Sequence, residues 1–470
     1  IRVEKQQMVK EGKLKPKDIK NDTIIFVGED NLHYEKFQDG TVKCIENEIP
    51  FEVPEGWAWC RLKHVCTMAA GKAKPTDQIM TEPFEGCYPC FGGNGIRGYV
   101  DEYNQDGIFS IVGRQGALCG NINIAKGKFY ATEHAVVTTL FSGIDFNWSN
   151  YVLEALQLNS YATGAAQPGL SVANVLNVFV PVPPTQEQVH IGIRIAESIK
   201  IIENIEDEKE NLQTLISSAK SKILDLAIRG KLVSQNPNDE PASVLLERIR
   251  AEKEELIKQG KIKRDKKESI IFKGEDNSYY LKTGDITEPL EDWELDGLPD
   301  SWSFCCLGEI CDYGNCINVA TVDIDDSAWI LDLEDIEKDT GIVLQKVRKA
   351  KRNSISTKHL FHKGQVLYSK LRPYLNKVVL ADEDGYCTSE ILPLDFQENI
   401  IPQYARYYLM SPTFLQYTNK CSYGVKMPRL GTVDGKKTII TLPPLAEQKR
   451  IVKAIETIFA QLDEISNAIA

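Results

Sequence analysis

The sequence predicts an α+β chain: two globules of mixed strands and short helices, separated by a long antiparallel helical coiled coil and arranged as a pseudo-twofold tandem repeat. Three observations predict it. From His190 to Arg229 the apolar residues Ile191, Ile195, Ile202, Ile205, Leu212, Ile216, Ala219, Ile223 and Leu226 alternate steps of four and three, broken only at Ser198 and Lys209. That is the spacing of a coiled-coil seam, and about forty residues at ~1.5 Å rise make a rod of roughly 60 Å. The rhythm returns 260 residues later in Ile451, Ile455, Ile458, Leu462, Ile465 and Ile469. Between these helices lie stretches of short Val, Ile and aromatic runs punctuated by Gly and Asn, the pattern of strands.

Taken in order, the chain shows the duplication almost throughout. Ile1-Arg2-Val3-Glu4-Lys5 and Glu11-Gly12-Lys13-Leu14-Lys15 recur as Ile249-Arg250-Ala251-Glu252-Lys253 and Gln259-Gly260-Lys261-Ile262-Lys263. Gly28-Glu29-Asp30-Asn31 matches Gly274-Glu275-Asp276-Asn277, and Pro54-Glu55-Gly56-Trp57 matches Pro299-Asp300-Ser301-Trp302. Gly164, Gln167, Pro168 and Leu170 align with Gly424, Met427, Pro428 and Leu430, whereas the middles of the two halves show no match. A period of this size means duplicated domains, not a solenoid. The order within the cycle also predicts that a counterpart of residues 211–248 precedes Ile1.

Strands are expected at Ile108 to Val112, Gly120 to Ile124, Ala135 to Leu140, Gln365 to Tyr368 and Lys377 to Leu380, with helices near Asn150 to Leu158 and Gln403 to Met410. A charged helix spans Ala242 to Gly260, entered through Asn236-Pro237-Asn238-Asp239 with Pro241 near its start. Each long helix is introduced by paired prolines, Pro183-Pro184-Thr185-Gln186-Glu187-Gln188 and Pro443-Pro444-Leu445-Ala446-Glu447-Gln448, which suit a helix entrance and not its interior. The expected domains are 1–50, 51–182, 183–295, 296–442 and 443–470.

With 42% hydrophobic and 26% charged residues the chain is neither disordered nor fibrous. No apolar run approaches the ~18 residues of a membrane span and nothing at the start resembles a signal peptide, so a cytoplasmic location without membrane contact is expected. The twelve cysteines follow no framework and read as free thiols. A net charge of -12 argues against nucleic acid until its distribution is considered. From Gly341 to Ala381 there are ten basic residues and no acidic one, flanked by acidic stretches, so a positive face is expected on the second half. Residues 72–180 are poorer, with six basic against nine acidic residues, so a nucleic-acid face on the first half would be small, or polar and not charged.

The chemistry-bearing motifs are few. Gly93-Asn94-Gly95-Ile96-Arg97-Gly98 matches a dinucleotide fingerprint, but no amphipathic helix follows it, and a tight glycine turn is the simpler reading. Cys87-Tyr88-Pro89-Cys90 has metal-knuckle spacing without a second pair, and Glu133-His134 lacks a second histidine, so neither is assigned a metal. There is no P-loop, no nucleophile elbow and no Asn-Pro-Pro-Tyr segment, hence no catalytic residue and no chemistry of the chain's own. Gly113-Arg114-Gln115-Gly116 and Lys370-Leu371-Arg372-Pro373-Tyr374 read instead as recognition loops, since Arg, Lys, Gln and Asn pair with base edges while glycines let backbone approach phosphate. The candidate DNA-binding residues are Lys72, Lys74, Asn94, Arg97, Arg114, Gln115, Lys349, Lys351, Arg352, Lys370, Arg372, Tyr374, Lys377, Lys426 and Arg429. The candidate coiled-coil and partner-docking residues are Ile195, Ile202, Ile205, Leu212, Ile216, Ile451, Ile455, Ile458, Leu462 and Ile465.

The Pro-Pro-x-x-Glu-Gln entrances, the heptad helices, the segments Leu226-Ala227-Ile228-Arg229-Gly230-Lys231-Leu232-Val233 and Asn236 to Ala242, and the duplicated layout together resemble the specificity subunit of type I restriction-modification enzymes. The resemblance extends to Gly92 to Tyr99 and Leu371 to Lys377, which look like parts of that family's target recognition domains. It implies that each variable domain reads one half of a bipartite double-stranded DNA target while the helices set the spacer. It also implies two methylation subunits docked on the helices and restriction or translocase subunits beside them. S-adenosylmethionine, ATP and magnesium would belong to those partners and no cofactor to this chain. The rival readings are a specificity factor of a methylating defence system that does not cut, and a non-enzymatic scaffold binding proteins. A scaffold would not lose affinity for DNA steeply as salt rises.

Overall fold

A computed structural model describes residues 1–470 apart from 13, 117, 165–167, 261–268, 277, 291–297, 353–354, 397–399 and 470. The repeat residues Lys13, Gln167, Lys261, Ile262, Lys263 and Asn277 therefore lie outside the described residues. Two units form, Ile1–Glu206 and Asp207–Ala470.

In the first unit, helix α1 (Arg2–Lys10) precedes a three-stranded meander, β1 (Ile24–Val27), β2 (His33–Lys36) and β3 (Val42–Cys44). After β4 (Ala58–Arg61) comes a six-stranded sheet of β5 (Cys66–Ala70), β6 (Tyr88–Gly92), β7 (Gly95–Val100), β8 (Gln105–Gly113), β9 (Ile122–Ala131) and β10 (Ala135–Leu140). Its order is β5-β10-β8-β9-β6-β7, antiparallel except for the β6–β9 pair. Helix α2 (Phe146–Ala155) is capped by the Asp145 carboxylate, which accepts from the Trp148 N–H. Strand β11 (Phe179–Val182) returns to pair with β4, and α3 (Thr185–Ile228) follows at once.

The second unit repeats this order. Helix α4 (Ala242–Lys258) leads to the meander β12 (Ser269–Lys273), β13 (Tyr279–Thr283) and β14 (Ile286–Pro289), then β15 (Ser303–Cys306). The domain between consists of β16 (Asn318–Val319), β17 (Trp329–Leu331), β18 (Val347–Arg348), β19 (Lys358–Phe361), β20 (Val366–Ser369), β21 (Val378–Leu380), β22 (Gly385–Thr388) and β23 (Ile391–Leu394). Helices α5 (Pro402–Leu409) and α6 (Pro412–Cys421), strand β24 (Ile439–Leu442) paired with β15, and α7 (Leu445–Ala468) complete it.

The repeat is written in side chains as well as in order. In both meanders an Asp accepts from a Tyr hydroxyl four residues on, Asp30 from Tyr34 at 2.7 Å and Asp276 from Tyr280 at 2.8 Å, and a Phe stacks on that Tyr. The Cys66 and Cys311 thiols both point at the carbonyl of a leucine one turn back, Leu62 and Leu307, so these cysteines are buried structural groups. The glutamine of each Pro-Pro-x-x-Glu-Gln entrance is a pin. Gln188 accepts from the Asp145 N–H and donates to the Pro183 carbonyl; Gln448 accepts from the Ile401 N–H and donates to the Pro443 carbonyl. Both are buried, with the amide oxygen and nitrogen each paired, at the start of the neighbouring helix, which explains why each long helix begins directly after its second proline.

Within the second unit the end of α3 and the start of α7 share one core. Leu224, Ala227 and Ile228 are buried in the same cluster as Ile451, Val452 and Ile455, each large side chain contributing about 1.5–3 kcal/mol by burial. Lys220 pairs with Asp463 and lies over the Phe459 ring, while the Thr441 hydroxyl donates to the Ile228 carbonyl at 2.7 Å, so these two stretches run antiparallel. Of the docking residues, Ile216, Ile451 and Ile455 are buried, and Ile195, Leu212, Ile458 and Leu462 are half-buried. Ile202 (54%), Ile205 (58%) and Ile465 are exposed.

One expectation changes. The middles of the halves, which share almost no residues, share their strand pairing at a constant offset of 256. Ala135 faces Gly113 as Ile391 faces Ser369, and Val112 faces Ile122 as Tyr368 faces Val378. A parallel pair is also present in both, Tyr130 with Cys90 and Tyr386 with Ile330, the second strand of the pair lying at an offset of 240 instead of 256. Strand register is set by backbone hydrogen bonds and by which face is buried, not by residue identity, so the duplication survives where the sequence match is gone.

Candidate nucleic-acid interface

In the first unit, three connections meet at one end of the six-stranded sheet: the β6–β7 turn, the loop after β8, and the Thr132–His134 turn between β9 and β10. They enclose an open groove of about 430 Å³, with Asn94, Arg97, Gln115 and His134 as its polar walls. Glycine is required here by close approach. A Cβ on Gly113 would lie 2.1 Å from the Gly93 carbonyl oxygen, and Gly116 takes φ +96° to turn the loop. The Gly93–Gly98 motif is a hairpin with Gly95 at φ +90°, not a strand-to-helix phosphate cradle. Arg97 donates to the Thr76 hydroxyl at 2.8 Å, and the Asn94 side-chain carbonyl accepts from Asn121 at 3.2 Å, each leaving an exposed head. Arg114 is half-buried and Lys72 exposed. Lys74 is held by Glu102 at 2.8 Å and Asp101 at 3.6 Å over the Tyr130 ring.

The second unit builds the same loop from other residues. The Gly116 N–H donates to the Pro168 carbonyl at 3.0 Å, and the Arg372 N–H donates to Pro428 at 2.7 Å. Leu170 donates to the Arg114 carbonyl, and Leu430 to that of Lys370; Arg114 donates to the His134 carbonyl, and Lys370 to that of Glu390. Arg114, Gln115 and Gly116 are thus the counterparts of Lys370, Leu371 and Arg372, and His134 is the counterpart of Glu390. The left-handed position filled by Gly116 is filled by Arg372 at φ +49°, a conformation costly for a residue with a Cβ. Tyr374 beside it is 48% exposed and Lys426 is exposed. Arg429 is held by both oxygens of Glu390 at 3.0–3.2 Å.

The expected positive face of the second half is instead largely neutralised, because strand pairing brings the acidic flanks against the basic run. Lys346 meets Asp382 and Glu383, Arg348 meets Glu383, Lys349 meets Asp326, and Lys358 meets Asp332. Arg352, 9% exposed, is clamped by Asp332, Glu334 and Asp335. Lys377 donates to the Leu333 carbonyl at 2.7 Å, and burial draws its pKa below the usual lysine value. Lys351, Lys363, Lys370 and Arg372 have no carboxylate partner among the described residues, and two of these four flank Leu371 in the loop.

His134 and Glu390 were not among the sequence candidates. No sequence signal would have found them: Thr132-Glu133-His134 and Thr388-Ser389-Glu390 share only the threonine, and their equivalence follows from the strand register. Among the described residues no cluster of His, Cys, Asp or Glu has metal-site geometry, and no helix is long and apolar enough to cross a membrane.

A family model described as the type I restriction modification DNA specificity domain matches residues 54–214 and 299–470. The EcoprrI type I restriction enzyme specificity subunit of Escherichia coli is 46% identical over 132 residues, 28% of this chain and 33% of that protein. The EcoDI type I restriction enzyme specificity subunit of Escherichia coli is 21% identical over 428 residues, 89% of this chain and 86% of that one. A solved structure reported for the structural basis of complex assembly and conformational transition of the type I R-M system superposes with a TM-score of 0.51 at 16% identity, covering 89% of this chain and 94% of that one.

Proposed function

Because the chain belongs to the type I restriction-modification DNA specificity family, we propose that it is the sequence-specific DNA-binding subunit of a type I restriction-modification complex, each unit reading one half of a bipartite target. The observation that carries this is the pair of loops with one backbone hydrogen-bond scheme and different polar side chains, Arg114-Gln115-Gly116 and Lys370-Leu371-Arg372. Identical scaffolds with unlike contacts suit two half-sites of unlike sequence. Base readout needs side chains with directed donors and acceptors, which Asn94, Arg97, Gln115, Lys370 and Arg372 supply. Much of the basic run of residues 341–381 is paired with carboxylates, so its sequence-independent attraction for phosphate is modest, and the affinity rises when partner subunits share the duplex.

The long helices set the spacer between the half-sites and dock two methylation subunits, with the exposed Ile202 and Ile205 supporting that surface. Restriction or translocase subunits join the same assembly. The chain performs no chemistry; S-adenosylmethionine, ATP and magnesium are used by its partners, in the cytoplasm. Selection of bound duplexes from a randomised library, by the full chain with its methylation subunits, tests the reading. Two short enriched blocks at fixed spacing are expected. Binding without sequence preference, or without loss of affinity as salt rises, would refute it.

A further inference from the structure

Around the first groove, three buried side-chain atoms have no hydrogen-bond partner among the described residues: Asn123 Nδ2, Glu133 Oε2 and His134 Nδ1. Buried polar atoms are nearly always paired, and orphans beside a polar groove are atoms for which a water or a ligand can supply the partner. Among the described residues the polar contact of the His134 imidazole is Glu133, at 3.4 Å through Nε2, and the residue lines the groove with Asn94, Arg97 and Gln115.

The second unit treats the equivalent position differently. Glu390 is fixed by Arg429, whose guanidinium reaches both carboxylate oxygens. The counterpart of Arg429 is Gly169, because Tyr423 and Arg429 exchange both backbone hydrogen bonds as Thr163 and Gly169 do. Nothing at position 169 can therefore hold His134 as Arg429 holds Glu390.

We propose that His134 is a base-contacting, specificity-determining residue of the first unit, and that Glu390 is withheld from DNA by Arg429. The two units then read through different members of one shared set of positions. An imidazole N–H suits the N7 acceptor of a purine, while a carboxylate neutralised by an arginine is a closed pair with little left to offer a base. The inference rests on the DNA-reading function proposed above.

The test is the same library selection with the full chain and its methylation subunits, comparing the wild type with His134→Ala, His134→Gln and the double variant His134→Glu/Gly169→Arg. The double variant builds the second unit's ion pair into the first. Position 169 has room for it, since a Cβ there would lie 3.7 Å from the nearest atom, the Arg114 carbonyl oxygen. Each variant should lose roughly ten-fold or more of the preference at one or two adjacent base pairs of a single half-site, with the other half-site and the melting temperature unchanged. Unchanged preferences, uniform weakening at every position, or a change in the other half-site would overturn the assignment of His134. A wild type that enriches no sequence would overturn the DNA-reading function itself and this inference with it.

Discussion

Replacing Arg352 by alanine separates a structural cation from a DNA-binding one. Its guanidinium makes two hydrogen bonds of 2.6 and 2.7 Å to Asp335 and one of 2.7 Å to Asp332. Asp335 is 0% exposed, and without Arg352 its carboxylate keeps, among the described residues, the Gln345 amide at 3.0 Å and the Asp332 N–H at 2.8 Å, with the Lys377 charge as a more distant neighbour. Breaking a buried pair by deleting one member leaves an uncompensated charge and costs about 3–5 kcal/mol. For a unit of this size that is a fall in melting temperature of about 6–15 °C. Thermal unfolding of Arg352→Ala, beside the exposed control Lys351→Ala, reads the effect; the control should melt as the wild type does. Melting unchanged in Arg352→Ala, together with a salt slope of DNA binding lower by about one, would refute the structural role and restore Arg352 to the phosphate contacts.

Arg372→Gly removes a loop side chain while relieving a left-handed backbone, so stability should hold or rise by about 1 kcal/mol, with preference lost at one half-site only; equal loss at both half-sites in library selection would contradict it. Trp302→Phe keeps the ring body but deletes the indole N–H that donates to Glu447 at 3.0 Å. A loss of about 1.5–3 kcal/mol in denaturant unfolding is expected. Burial, with the Lys5 ammonium beside it, lowers the His64 pKa from 6.5 to about 4. A depressed histidine value favours the neutral form in the folded state, so its contribution is complete above about pH 6.5 and is lost as the pH falls toward 4. It amounts to up to about 3 kcal/mol, and the stability difference between wild type and His64→Gln across that window measures it. The pair Ile202→Asp and Ile205→Asp should abolish co-purification of the methylation subunits without changing the melting of the chain, since both side chains are exposed.

The parts of the fold governed by short-range rules were legible. The four-three spacing located α3 and α7, and the paired prolines fixed where each begins. The kinship of the two middles was not legible, because Val112 opposite Ile122 and Tyr368 opposite Val378 share a register and no residue. The loops Gly113–Gly116 and Lys370–Tyr374 were singled out by composition alone, but their equivalence needed the hydrogen bonds to Pro168 and Pro428. The basic run misled for a physical reason. Lys346 and Asp382 are thirty-six positions apart and Arg352 and Asp335 seventeen, so which charges cancel is decided by strand pairing that local sequence does not encode. Glu133-His134 was weighed only as a metal motif and set aside, because a histidine beside a glutamate carries no spacing signal for a base contact; its unpaired nitrogen is a property of the folded site.

In both units the variable domain enters and leaves through one antiparallel strand pair, β4 with β11 and β15 with β24, where Ala58 lies opposite Val182 and Ser303 opposite Leu442. Partners in such a pair are only about 5 Å apart, so everything between them is an insertion whose two ends meet. A head of different sequence can then occupy the same socket without disturbing the helix that follows, because the two seams lie side by side in space. With two such sockets on one chain, n interchangeable heads would give on the order of n² combinations.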